Sequence, residues 1–188
     1  MKYEKHTLKN GLRVIIAQMK NTESVVFQVL VKTGAKNEDK KVNGISHFLE
    51  HLVFKGTKNR PKPGAISKEL DSIGAENNAF TSKEITGFWV KSASSNFDIG
   101  LDVVSDMVLN PIFDAKEIEK ERGVILQEIS MYEDQPRDKV VRDIESMIYE
   151  GNPHSMATLG ASESVKNISR TDIIKYREKR YLPNNIVV

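Results

Sequence analysis

The chain has 188 residues, 39% of them hydrophobic and 29% charged, which suits one domain with a sizeable buried core and excludes a disordered chain. Its 28 basic and 26 acidic residues leave a net charge of only +2, too small and too evenly spread for a nucleic-acid or anionic-membrane surface. There is no cysteine, so disulfide frameworks and thiolate metal sites are excluded and any metal must be held by histidine and carboxylate.

The N-terminus, Met1-Lys-Tyr-Glu-Lys-His, lacks the apolar core of a signal peptide. No later run approaches the roughly 18 apolar residues of a membrane span. A cytoplasmic setting is the default expectation. Residues 12–19, after the turn Lys9-Asn-Gly, and residues 24–32, rich in β-branched side chains, read as two strands, expected to be antiparallel neighbours. A polar segment over residues 33–42 leads into a helix over residues 43–55, which Gly56 is expected to close. Residues 65–73 form a short helix with Ile66, Leu70 and Ile73 on one side, ended by Gly74. Residues 77–82 and 84–92 read as a second strand pair; in the latter, Thr86, Phe88 and Val90 alternate with Ile85, Gly87, Trp89 and Lys91. Helices follow over residues 97–109, from an Asp114 N-cap to about residue 132, and from Pro136 to Tyr149. A short turn near Glu163 and a helix over residues 171–181 complete the order. The last residues, Leu182-Pro-Asn-Asn-Ile-Val-Val, read as the start of a buried strand, so the expected organisation is a single domain over residues 1–188 that is the N-terminal portion of something longer.

The helix over residues 43–55 draws attention because it holds two of the four histidines. His47 and His51 lie one turn apart on one face, so both imidazoles can reach a single ion. Glu50 sits beside them as the only formal charge between Lys41 and Lys55. Ile45, Phe48, Leu49 and Leu52 make the i, i+3, i+4, i+7 stripe of a helix packed on a core. Both faces of this helix therefore look covered. Catalytic zinc takes three protein ligands and leaves a fourth position open, so a third donor is needed. Glu128 is the candidate, being the sole charge in Gly123-Val-Ile-Leu-Gln-Glu-Ile-Ser-Met-Tyr; a carboxylate in such apolar surroundings is costly unless paired or metal-bound. Glu121, two turns earlier on the same face, can hydrogen-bond a ligand imidazole, although Lys120 and Arg122 adjoin it and leave a solvated role open. His6 and His154 have no partner at ligand spacing and read as surface residues.

The order His47-x-x-Glu50-His51 reverses the commoner His-Glu-x-x-His and is the inverzincin signature. Together with Gly44-Ile-Ser-His-Phe-Leu-Glu-His-Leu-Val-Phe-Lys-Gly-Thr, Asn78-Ala-Phe-Thr-Ser-Lys-Glu-Ile-Thr, Glu121-Arg-Gly-Val-Ile-Leu-Gln-Glu-Ile and Tyr181-Leu-Pro-Asn-Asn, it resembles the pitrilysin, insulysin and mitochondrial processing peptidase family of zinc metallopeptidases over nearly the whole chain. The resemblance implies an α+β fold, a two-layer sandwich of an antiparallel-rich sheet with helices on one face. It implies one zinc ion on His47, His51 and Glu128, with Glu50 as general base and Glu121 in support. It implies an extended peptide or unfolded polypeptide as substrate, added along a strand edge at Asn78 and Ala79, although that stretch could equally be only a strand after a turn. It also implies a second homologous half, on the same chain or a partner subunit, in a full-length protein expected to be dimeric. The competing reading is a non-catalytic peptide-binding subunit that keeps the fold without the chemistry.

Overall fold

In the computed structural model, which describes residues 2–188, the strands are β1 (Glu4–Thr7), β2 (Arg13–Ile16), β3 (Ser24–Val31), β4 (Glu76–Thr81), β5 (Thr86–Ala93) and β6 (Ile186–Val187). The helices are α1 (Ile45–Leu52), α2 (Ala65–Ser72), α3 (Phe97–Leu109), α4 (Ala115–Glu133), α5 (Pro136–Ile148), α6 (Ser162–Asn167) and α7 (Arg170–Arg180). One open sheet runs in the order β1-β2-β6-β3-β5-β4, antiparallel at every pair except β2 with β6. This is the α+β, antiparallel-rich architecture that the resemblance implies, with helices packed on one face.

Period-two alternation decides that face. In β5, Thr86, Phe88, Val90 and Ser92 are buried, and in β3 so are Val29 and Val31. These meet Ile45, Phe48, Leu49 and Leu52 of α1, Val103, Val104 and Met107 of α3, and Ile118, Ile125 and Ile129 of α4 in one core. Each such side chain contributes about 1.5–3 kcal/mol when fully withdrawn from water. On the opposite face Val26 and Phe80 are exposed.

Several expectations are corrected. β2 and β3 are not neighbours, because β6 lies between them, parallel to β2 and antiparallel to β3. The Asn10-Gly11 turn, with Gly11 at φ +88, instead closes a hairpin between β2 and β1, a strand not foreseen in the short polar run Glu4–Thr7. β2 itself ends at Ile16. The final strand is shorter than expected, since Pro183–Asn185 forms a 3-10 turn and the strand covers Ile186 and Val187, with Val188 continuing the pairing to Arg13 and Ile15 of β2. The turn near Glu163 is the helix α6, anchored by the buried Val165 and, just beyond it, Ile168. Gly56 does not close α1: the helix ends at Leu52, and the Phe54 and Lys55 amides donate to the His51 and Leu52 carbonyls in a tighter turn before Gly56 is reached.

Candidate metal centre

The metal-site helix begins where two glycines touch. Gly44 sits at φ +97 as the N-cap of α1, and a Cβ there would lie 2.8 Å from the Leu159 carbonyl oxygen and 2.9 Å from the Cα of Gly160. Having no side chain, Gly44 cannot cap the helix itself. Glu38 does so from upstream: its carboxylate accepts from the Gly44 amide at 2.7 Å, the Ser46 amide at 2.9 Å and the Asn43 side chain at 2.8 Å. Tyr176 of α7 fixes the same turn, its hydroxyl lying 2.8 Å from both Ser46 Oγ and Thr33 Oγ1. The facing helix, α4, is capped by Asp114, which accepts from the Lys116 and Glu117 amides. Ile118, Ile125 and Ile129 bury its core side and leave Glu121 and Glu128 directed at α1.

His47, His51 and Glu128 converge there, with one donor atom from each inside a 4.8 Å cluster. His47 Nε2 and His51 Nε2 are 3.2 Å apart, and Glu128 Oε2 lies 3.5 Å from the first and 3.7 Å from the second. A tetrahedral ion with bonds of about 2.1 Å needs donor atoms about 3.4 Å apart. The set therefore fits zinc in both donor chemistry and spacing.

Protonation agrees with that fit. Glu121 Oε2 is 3.1 Å from His51 Nδ1, and since a carboxylate only accepts, Nδ1 carries the hydrogen, which in the neutral imidazole leaves the Nε2 lone pair for a metal. Burial, reinforced by the neighbouring His51, pushes His47 down to about 3, so its imidazole is neutral at physiological pH, as a metal requires. His47 Nδ1 is buried without a hydrogen-bond partner among the described residues. Glu121 is only 6% exposed, which removes the solvated reading, and its other oxygen is 2.7 Å from Lys55 Nζ.

Glu50, half-buried beside the cluster, accepts a 2.6 Å hydrogen bond from Thr81 Oγ1. Burial raises its pKa, the Thr81 bond and His51 lower it, and Glu128 raises it; the net shift is upward. Asn78 and Ala79 lie on β4, opposite Trp89 and Phe88. β4 is the last strand of the sheet, paired on one side only. The Ala79 amide is off the ladder, donating to Asn78 Oδ1 at 2.9 Å. His6 and His154 stay outside the cluster, within 3.3 Å of Glu4 and Glu84 respectively. Thr81, Lys55 and Glu38 touch the site or its helix and escaped the reading of the sequence; no spacing rule marks them, because their contacts cross between elements.

Residues 13–162 match the profile of Insulinase (Peptidase family M16). The chain belongs to this family. Among relatives of the insulinase family, it is 37% identical over 187 residues to an uncharacterized zinc protease, YmxG, of Bacillus subtilis, covering 98% of this chain and 45% of that protein. It is 37% identical over 182 residues to the beta subunit of the mitochondrial-processing peptidase of Saccharomyces cerevisiae, covering 96% of this chain and 39% of the relative. It is 36% identical over 181 residues to cytochrome b-c1 complex subunit 1 of Bos taurus, covering 96% and 37%. The crystal structure of a protease from Helicobacter pylori superposes with a TM-score of 0.94 at 31% identity, over 99% of this chain and 45% of that one. A family M16 inactive domain from Pseudomonas fluorescens has the same fold at a TM-score of 0.92. The chain thus spans less than half the length of these relatives. Among the described residues no helix is long and apolar enough to cross a membrane.

Proposed function

We propose that this chain is the zinc-binding, catalytic half of a cytoplasmic metalloendopeptidase that hydrolyses peptides or unfolded polypeptide segments. The observation that carries the reading is the convergence of His47, His51 and Glu128 at tetrahedral spacing with Glu50 alongside. His47 and His51 from α1 and Glu128 from α4 would hold the ion, and Glu121 would keep His51 in the tautomer that ligates. Zinc bound there would supply Lewis acidity toward a water molecule and the scissile carbonyl. Glu50 takes the proton from the attacking water and delivers it to the leaving amine, a role its upward-shifted carboxyl suits. The free edge of β4 at Asn78 and Ala79 accepts the substrate as an added strand, which gives main-chain recognition with little demand on sequence. A second homologous half, in cis or on a partner subunit, would complete the substrate chamber of a dimeric assembly.

The competing reading is a non-catalytic peptide-binding subunit. An intact set of three donors plus an adjacent carboxylate favours the enzyme. The test is Glu50→Gln, which removes the base and none of the donors: zinc content is expected to stay at wild type while peptide cleavage falls by about 10²–10⁴-fold. A variant that keeps both zinc and full turnover would exclude Glu50 as the base. Unchanged zinc affinity in Glu128→Gln would remove Glu128 from the ligand set.

A further inference from the structure

The geometry points to Thr81 as the positioning residue that holds the Glu50 carboxylate in its working orientation. This inference rests on the peptidase reading. Among the described residues, the bond from Thr81 Oγ1 is the only hydrogen bond the Glu50 side chain receives. Glu50 leaves α1 on a flexible stem, so without that bond its carboxylate has several rotamers open to it. The Thr81 hydroxyl, by contrast, is preset. Thr81 ends β4, its backbone pairs with Thr86, and the next amide, that of Ser82, donates to the Ile85 carbonyl at 2.8 Å in the tight hairpin. A β-branched side chain on such a backbone has little χ1 freedom.

Register gives the contact its meaning. Asn77, Ala79 and Thr81 lie on the less exposed, helix-facing side of β4, while Glu76, Asn78 and Phe80 lie on the outer side. One strand thus carries both the free edge at Asn78 and Ala79 and the hydroxyl that grips Glu50. A peptide aligned on that edge is aligned by the same rigid element that aligns the base. The hydroxyl binds Oε2 and leaves Oε1 without a partner among the described residues, free for the water proton. A base held within a fraction of an ångström by a supporting group is what proton transfer in a preorganised site requires.

The experiment compares Thr81→Val, which keeps the shape and removes the hydroxyl, with Thr81→Ser, which keeps the hydroxyl, in the complete zinc-loaded protein. Thr81→Val is expected to lower kcat about tenfold, the scale of one lost hydrogen bond to a charged group, with KM and zinc content unchanged. Thr81→Ser is expected to recover most of the loss. A crystal structure of Thr81→Val should show the Glu50 carboxylate displaced. Wild-type kcat in Thr81→Val, equal losses in both variants, or a carboxylate that stays in place would each overturn the assignment. Failure of the wild-type protein to cleave any peptide would sink the peptidase reading instead, and the crystal structure would still decide whether Thr81 holds Glu50.

Discussion

At the residue scale the centre is a chain of polar contacts, Lys55 to Glu121 to His51, behind the donor atoms. Lys55 and His51 take one Glu121 oxygen each, so the carboxylate is fully engaged at a site where it is almost out of water. Such a carboxylate raises the basicity of the imidazole and fixes its tautomer. Glu121→Gln replaces it with an amide that accepts from only one atom and carries no charge. Zinc affinity, measured by competition with a chromophoric chelator, is expected to fall about 10–100-fold. Lys55→Met should fall less, because His51 keeps its acceptor. Equal affinity in Glu121→Gln and wild type would sever Glu121 from the metal. The gathering of His47, His51 and Glu128 was legible in the sequence for local reasons: two histidines one helical turn apart, and a single carboxylate whose apolar neighbours make an unpaired charge costly; Glu121, among charged neighbours, was marked only by lying two turns before Glu128 on the same face. Thr81 and Lys55 were not, since a threonine in a strand and a lysine after a helix are ordinary until the fold sets them against Glu50 and Glu121.

At the scale of elements, helices read more truly than strands. The bounds of α3 and the Asp114 cap of α4 follow from local signals, a stop at Asn110-Pro111 and a side-chain acceptor at the helix start. The pairing of β2 does not, because its neighbour β6 comes from the far end of the chain and no local pattern fixes a partner that distant. A polar cluster shows the same long reach. Arg60, in the loop between α1 and α2, forms ion pairs with Glu69 of α2 and with Asp102 and Asp106 of α3. Burial alone would raise the Asp106 carboxyl, but hydrogen bonds from Thr57, Asn110 and Arg60 outweigh it and hold it below the ordinary 3.8. A folded value below the unfolded one means that the unfolded chain binds the proton more readily. The stabilisation is therefore complete above the ordinary value and is lost as pH falls through the folded one. Asp106→Asn is expected to cost about 2 kcal/mol near neutral pH, with the gap to wild type narrowing in urea titrations carried out below about pH 4. A gap that is constant with pH would show that the charge of Asp106 contributes nothing.

At the scale of the whole molecule, the donor set lies within this chain, and the proposed second half concerns the surroundings of the site. All three donors, together with Glu50, Glu121 and Thr81, come from α1, α4 and β4, seated on one core by Phe48, Leu49, Ile125 and Ile129. α5, by contrast, buries none of its residues and leaves Val140, Val141, Ile144, Met147 and Ile148 exposed. The relatives run to more than twice the matched length. Metal binding should therefore need only this chain, whereas turnover should need whatever orients the substrate carbonyl opposite Glu50. The isolated 188-residue chain is expected to take up one zinc with an affinity within about tenfold of that of a full-length form. It should cleave an unfolded peptide at least about 10²-fold more slowly than that form, the penalty of a reacting group misplaced by about an ångström. Zinc titration and peptidase assays on the two proteins side by side separate the outcomes. Equal turnover would show that the site needs no second half, and a much weaker zinc affinity would show that the core beneath α1 and α4 does not stand alone.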